Sequence, residues 1–168
     1  LEFNYKRSDF SDFNNKVKVK ANFSDSKIAY EDLNHFYNTI KGKYLLTGRQ
    51  SYESDQGGDT FHLGKATVVV TRKKEFEAKQ VVVKHSLEEA FEWAKQDGAA
   101  ALYILGGASI YEQMIADADQ LIVTNIDVAV KGDTFFPAID LKIWKEVKRI
   151  DCKKDAVNKY DYSFVWYE

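Results

Sequence analysis

The stretch Leu102-Tyr103-Ile104-Leu105-Gly106-Gly107-Ala108-Ser109-Ile110-Tyr111 decides how the rest of the chain is read. Four apolar residues, Leu102 to Leu105, read as a strand buried on both faces, and Gly106-Gly107 ends it abruptly. Ser109 is placed to cap a following helix, whose apolar positions Ile110, Met114 and Ile115 recur at helical spacing. Glycine has no Cβ, so a ligand can approach the main chain there, and the first helical turn offers unpaired N–H groups to a phosphate. The stretch is therefore a candidate pyrophosphate cradle. A glycine pair between strand and helix is also an ordinary tight turn, and the third glycine of the dinucleotide fingerprint is missing. The flanking chain has to decide between the two.

Upstream, Tyr44 to Thr47 reads as a buried strand and Gly48-Arg49-Gln50-Ser51-Tyr52 turns into a helix, repeating the order strand, glycine, helix. Arg49 stands at the helix entrance, where its fork can grip a phosphate that the helix N-terminus also attracts. Ala66 to Thr71 is a β-branched strand followed by Arg72-Lys73-Lys74, which taken alone reads equally as a solvated strand end. The polar, glycine-rich segment Asp55 to Gly64 between them is a loop. Ligands of α/β sheets bind at the carboxyl ends of strands, where Gly48, Arg72 and Gly106 all fall. Three such coincident strand tips favour the phosphate site over the plain turn.

Between these elements, Val81 to Val83 makes a further strand. Ser86-Leu87-Glu88-Glu89 is a capping box opening a helix with Leu87, Ala90, Phe91 and Ala94 on its inner face, and Asp97-Gly98 closes it. At the N-terminal end, Leu1, Phe3 and Tyr5 alternate with polar residues, giving a short strand that ends near Lys6. From Arg7 to Tyr30 the pattern is poor. Val17, Val19, Ala21 and Phe23 alternate with polar residues as in a hairpin arm, and the segment reads as a lid over a site or as a mobile connection. From Glu31 the period becomes helical, with Leu33, Phe36, Tyr37 and Ile40 on one face. Asp32, four residues before Phe36, shares a side of that helix with the ring, so a carboxylate and an apolar wall can line one cleft. The plain alternative is an acid complementing the helix dipole and facing water. Downstream, a strand from Leu121 to Ile126 contains Thr124, and Gly132-Asp133-Thr134-Phe135-Phe136-Pro137 holds the only proline. Segments around Trp144 to Ile150 and Tyr160 to Trp166 alternate as a C-terminal antiparallel pair.

About eight strands, the first six interleaved with three or four helices, predict an α/β fold. The expected architecture is a single domain over residues 1–168 with a central, mostly parallel eight-stranded sheet, helices on both faces and a C-terminal antiparallel hairpin. The chain has 168 residues, 45% of them hydrophobic and 14% aromatic, enough for one sizeable core. A formal charge of -2 with mixed signs gives no basic stripe for nucleic acid. One cysteine, Cys152, allows no internal disulfide, and His35, His62 and His85 have no ligand spacing, so no metal site is expected. The absence of a span-length apolar run and of a signal-peptide layout predicts a cytoplasmic protein without membrane attachment, and a monomer is expected.

The combination resembles dihydrofolate reductase. The resemblance rests on Asp32-Leu33 with Phe36, Thr47-Gly48-Arg49 with Tyr52-Glu53-Ser54, and Thr71-Arg72. It continues through Ile104-Leu105-Gly106-Gly107-Ala108 with Tyr111, and Thr124 followed by Gly132-Asp133-Thr134 and Phe136-Pro137. These occur in the family's order and spacing from about Asp32 to the end. The resemblance implies NADPH-dependent reduction of 7,8-dihydrofolate to tetrahydrofolate. It implies that Asp32 holds the pterin ring, with Leu33 and Phe36 beside it and Thr124 hydrogen-bonded to Asp32. For the cofactor it implies Gly106, Gly107 and Ala108 at the pyrophosphate, Arg49 and Arg72 near the adenosine 2′-phosphate, and Tyr111 near the nicotinamide. Gly48, Gln50, Ser51, Thr71, Leu105, Ser109 and Ile110 complete the cofactor site. Asp133 would steady the lid.

The departures lie in the substrate half. Ser26-Lys27-Ile28-Ala29 stands where the family carries a Pro-Trp pair, and Lys65 where an arginine usually grips the glutamate α-carboxylate of the substrate. Asp55 and His62 fall where apolar contacts to the benzoyl ring are usual. The lid and first strand are similar to divergent forms found in some phages. Two other readings are a same-fold reductase acting on a pteridine or flavin precursor, as in riboflavin synthesis, and a non-catalytic nucleotide-binding or assembly module. Gly132-Asp133-Thr134 with Phe136-Pro137 speaks against the first.

Overall fold

The structure, a computed structural model, describes residues 4–5, 10–13, 16–19, 30–54, 60–129, 134–156 and 158–168, with side chains from His35 onward. In chain order the strands are β1 (Asn4–Tyr5), β2 (Phe10–Phe13), β3 (Lys16–Val19), β4 (Tyr44–Gly48), β5 (Ala66–Val70), β6 (Val82–Lys84), β7 (Leu102–Ile104), β8 (Leu121–Ile126), β9 (Thr134–Phe135), β10 (Glu146–Cys152) and β11 (Tyr162–Tyr167). The helices are α1 (Tyr30–Ile40), α2 (Arg49–Ser54), α3 (Leu87–Gln96) and α4 (Ala108–Met114), with one 3-10 turn at Phe61–Leu63.

Two sheets carry the molecule. The first is parallel, ordered β6-β5-β4-β7, with Tyr44 opposite both Ala66 and Leu102, and Val70 opposite Lys84. The second is antiparallel, ordered β10-β11-β8, with Phe164 opposite Thr124. The expected α/β fold with a parallel sheet and a C-terminal antiparallel hairpin is present. Among the described residues the ladders divide into four parallel and three antiparallel strands, plus the pairs β1-β9 and β2-β3. The strands β2 and β3 hydrogen-bond to each other as a hairpin, with Phe10 opposite Val19, while β3 runs near β8 and β2 near β7.

Side-chain alternation along β4 builds the two cores. Leu46 faces α3 and α4, where it clusters with Val68, Ala90, Ile104, Ile110, Tyr111 and Met114. Leu45 faces the other way, onto Phe36, Ile40, Phe61 and Leu105, the α1 side. The helices thus cover both faces of the parallel sheet, as expected. Residues 45, 46, 68 and 69 are fully buried, so β4 and β5 read as continuous apolar runs. A third cluster, Leu121, Val123, Trp144, Val165 and Tyr167, sits on the antiparallel sheet.

Two local expectations are corrected. Phe91 is 37% exposed rather than on the inner face of α3, because its place one residue past Ala90 turns it about 100° from the buried Ala90 and Ala94 stripe. Trp93 packs against the core instead. Ser109 does not cap α4: the N-cap is Gly107, which makes no side-chain cap bond, and Ser109 lies in the first turn. By contrast Ser86 does cap α3, accepting from the Glu89 N–H at 3.1 Å. Glu89 returns a bond one residue earlier than a standard capping box, accepting from the His85 N–H at 3.0 Å. Gly98, at φ +80, ends the helix beyond Asp97 in the left-handed region that favours glycine. Among the described residues no helix is long and apolar enough to cross a membrane, and no His, Cys, Asp and Glu group could hold a metal ion.

Candidate functional site

The carboxyl ends of β4, β5, β6 and β7 open into one cleft of about 650 Å³. Gly48 to Ser51 form one wall and Gly107 to Ile110 the facing one. Val70 to Lys73 and His85 to Glu88 extend the cleft outward, and Gln113 and Thr134 complete it. The cleft exists because each strand is followed at once by a turn into helix or loop, so parallel neighbours leave their tips open together.

The innermost part is built from main chain. Leu105 N–H donates to the Leu46 carbonyl (2.7 Å), and Gly48 N–H to the Gly106 carbonyl (2.6 Å), so the tips of β4 and β7 are tied beyond the strands themselves. The Thr47 hydroxyl, fully buried, also donates to the Gly106 carbonyl (3.1 Å). Gly106 adopts φ 91 and its peptide bond to Gly107 is cis. A Cβ on Gly107 would lie 2.6 Å from the Ser51 hydroxyl, which would have to rotate away. Beyond it, the Ile110 and Tyr111 N–H groups turn back to the Gly107 carbonyl, while Ala108 and Ser109 occupy the first turn, whose N–H groups lack intrahelical partners.

The outer part is cationic. Arg49 is held by an ion pair with Glu53 one helical turn on. Arg72 and Lys73 follow β5, where the Thr71 hydroxyl accepts from the Lys73 N–H (3.1 Å). The His85 ring lies beside them with Nδ1 3.0 Å from the Thr71 carbonyl. One acid is also present: the Glu88 carboxyl is held below its ordinary range, chiefly by its own main-chain N–H and then by the Ser86 hydroxyl. Its charge is thus spent on the start of α3.

The expected site residues divide into three groups. The structure brings Gly48, Arg49, Gln50, Ser51, Thr71, Arg72, Gly107, Ala108, Ser109 and Ile110 together around the cleft. Leu105, Gly106 and Tyr111 stand behind it. Leu105 packs toward Phe36, and Tyr111 is fully buried with its ring 5.0 Å from that of Phe136. Lys65 is turned away: its ammonium donates to the Tyr44 hydroxyl (2.8 Å) at the amino end of the sheet. The side chains of Asp32 and Leu33, together with Asp133, Asp55 and the Ser26 to Ala29 lid, lie outside the described residues. The backbone of Asp32 falls in the first turn of α1, and Phe36 is buried on the Leu45 side. Thr124, on β8, is buried, and its hydroxyl has no hydrogen-bond partner among the described residues.

Sequence reading missed His85, Lys73, Ser86, Glu88, Gln113 and Thr134 as cleft residues. His85 had a visible signal, since it directly follows a strand and precedes a helix cap, the same position that marked Gly48 and Gly106. Gln113 had none, because only the packing of α4 brings it there, and Thr134 stood in the Gly132-Asp133-Thr134 run with no cleft role attached to it.

A parallel α/β sheet whose open tips combine bare main chain with unpaired cations defines a protein that binds a phosphorylated nucleotide cofactor. The match to known proteins is more particular. The family model for dihydrofolate reductase matches residues 27–168. A dihydrofolate reductase from Staphylococcus haemolyticus is 33% identical over 142 residues, covering 82% of this chain and 80% of the relative. One from Neisseria meningitidis serogroup A is 35% identical over 137 residues, with 82% of each chain covered. Among solved structures, a dihydrofolate reductase from Enterococcus faecalis complexed with NADP(H) and RAB-propyl superposes with a TM-score of 0.71. It is 30% identical and covers 82% of this chain and 80% of that one. The chain belongs to the dihydrofolate reductase family, an NADPH-dependent oxidoreductase family.

Proposed function

We propose that this chain reduces 7,8-dihydrofolate with NADPH, with Asp32 as the residue that holds and polarises the pterin. The carrying observation is the buried, unpartnered hydroxyl of Thr124. A buried hydroxyl left without a partner costs on the order of 1–3 kcal/mol, so a polar group belongs beside it. Helix α1 supplies the candidate. The His35 ring stacks 4.2 Å from Phe164, which pairs directly across the strand with Thr124. Asp32 precedes His35 by three residues and therefore shares that face of α1. This supports a carboxylate at Thr124, next to the apolar wall formed by Phe36, Leu45 and Leu105.

The cleft fits the cofactor. Gly107 leaves the main chain bare beside Ser51, Ala108 and Ser109 can offer main-chain N–H groups to the pyrophosphate, and Arg49 with Arg72 can take the 2′-phosphate. When bound, NADPH supplies the hydride. The protein aligns the two reactants and holds an acid in an apolar setting, where accepting hydrogen bonds from the pterin favours its protonated form, while water carries the proton. Lys65 takes no part in this reading, because its ammonium is engaged by Tyr44 on the α3 side of the sheet. The monomeric state and the cytoplasmic location belong to the same proposal.

The test is Asp32→Asn, assayed by NADPH oxidation with dihydrofolate. Turnover should fall by roughly 100-fold or more, with NADPH binding kept. Parent-like turnover in this variant would overturn the assignment of Asp32. A parent protein that binds NADPH and reduces no dihydrofolate would favour the non-catalytic module.

A further inference from the structure

The antiparallel sheet has one flanked edge and one open one. Strand β3 runs near β8, whereas β10 pairs only with β11 among the described residues. Every second residue of an edge strand turns its N–H and C=O away from its partner, so Glu146–Cys152 leaves such groups to water. Edge strands are usually blunted by charge, and this one is blunted only in part. Leu141 and Ile143, in the turn leading into β10, are each 70% exposed, and Val147 and Ile150 on the strand are 52% and 41% exposed. Trp144 is buried beneath the same turn and leaves its apolar neighbours outside.

Charge gives this edge its sign. From Leu141 to Lys154 the chain has six basic residues and two acids, although its formal charge as a whole is -2. Both acids already serve Arg149: Glu146 accepts two hydrogen bonds from the guanidinium (2.8 and 2.6 Å), and Asp151 lies 3.7 Å from it. Lys142, Lys145 and Lys148 have no ion pair among the described residues. Lys148 is held in place, its ammonium 4.5 Å from the centre of the Trp166 ring, on the sheet face it shares with Ile150.

These features choose between occupants. With a second copy, the antiparallel register that sets Val147 opposite Ile150 also sets Lys148 opposite Arg149 and Glu146 opposite Asp151, and like charges face to face are destabilising. A bilayer offers nothing that pairs with main-chain groups along a strand. An acidic chain in extended form satisfies both the main chain and the lysines. We propose that β10 is a docking edge for an extended acidic segment of a partner protein, which joins the antiparallel sheet as a further strand. Because Lys148 and Ile150 stand two residues apart on one face, the segment carries an acid and an apolar residue two positions apart. Main-chain pairing supplies the hold, and these side chains supply the selection.

The experiment uses the full chain and a peptide blocked at both ends, Thr-Glu-Thr-Val-Thr-Glu-Thr-Val, which sets Glu and Val alternately on one face. Binding is followed by amide chemical shifts and hydrogen exchange. The peptide should shift the β10 amides, slow exchange at alternate β10 positions, and bind more weakly as salt rises. Lys148→Glu should weaken it roughly fivefold, with the unfolding midpoint held. Replacing each Glu of the peptide by Lys should abolish binding. Methylating alternate peptide nitrogens should abolish it in one register and spare it in the other, a readout that needs no protein variant. Absence of binding at about 1 mM peptide, equal binding of the lysine peptide, unmoved affinity in Lys148→Glu, or tolerance of both methylation registers overturns the inference. A parent dimer that Lys148→Glu disperses would give the edge to a second copy. Binding of phosphatidylglycerol vesicles without binding of the peptide would give it to a membrane. Either result also overturns the inference.

Discussion

The two ends of one parallel sheet do opposite things with the same residue types. At the carboxyl end, β4 finishes on Gly48, β7 runs on past Ile104 into Gly106-Gly107, and Arg72, Lys73 and His85 line an open cleft. At the amino end, side chains close the sheet upon themselves. The Tyr44 hydroxyl donates to the Asp97 carboxylate (2.8 Å) at the end of α3 while accepting from Lys65 (2.8 Å), whose ammonium also lies over the Tyr44 ring. A cation is a binding group at one end and a structural one at the other, and what differs is whether a neighbouring acceptor already uses it. The tie is visible in protonation: Lys65 is raised above its ordinary value, first by the hydrogen bond to Tyr44.

The contrast can be broken from either end. The largest effect is expected at the amino end from Gly64→Ala. The new Cβ would meet the Leu45 side chain at 2.7 Å and the Lys43 carbonyl at 2.9 Å, and Leu45 is fully buried and cannot give way freely. Stability should fall by about 3 kcal/mol, read by denaturant unfolding, with the ratio of NADPH to NADH affinity unmoved. Arg72→Ala should do the reverse, weakening NADPH by ~10- to 30-fold through loss of a charge-assisted phosphate contact. NADH affinity and the unfolding midpoint should hold; an equal loss for both cofactors would remove Arg72 from the 2′-phosphate.

Smaller still is Tyr44→Phe, which deletes the hydroxyl linking Asp97 to Lys65. A loss of about 1 kcal/mol in unfolding is expected, with cofactor binding constants unchanged. The smallest effect sharpens the comparison through pH. Because the folded-state value of Lys65 is raised, its contribution is fully present below the unfolded value near 10.5 and is lost as pH rises through the higher folded value. Parent protein should therefore lose stability on alkaline titration faster than Lys65→Met does, a small difference because this ammonium is fully open to water. Parallel curves would show that the Tyr44 contact holds no charge in place.

Much of the cleft was legible before any coordinates, because strand ends followed by glycine or arginine carry a local signal. Gly48, Arg49, Arg72 and Gly107 all line it. His85 obeyed the same rule and was passed over, since a lone histidine without metal-ligand spacing attracts no attention in a linear reading. Lys65 is the opposite case. Its position after Gly64 matched a substrate-binding arginine, yet whether the ammonium reached a ligand or Tyr44 depended on which face of the sheet β4 presents its hydroxyl to. Phe91 shows the same limit on a helix, where one residue of rotation exchanged a core position for an exposed one.

Sequence alone determined the alternation of strands and helices, the apolar runs of β4 and β5, and the chemistry waiting at their ends, because period, glycine and charge act over a few residues. Tertiary structure alone decided that Lys65 closes one end of the parallel sheet and that His85 lines the cleft with Arg72 at the other. Those outcomes depend on which distant main-chain and side-chain groups satisfy one another first, and no local pattern encodes that competition.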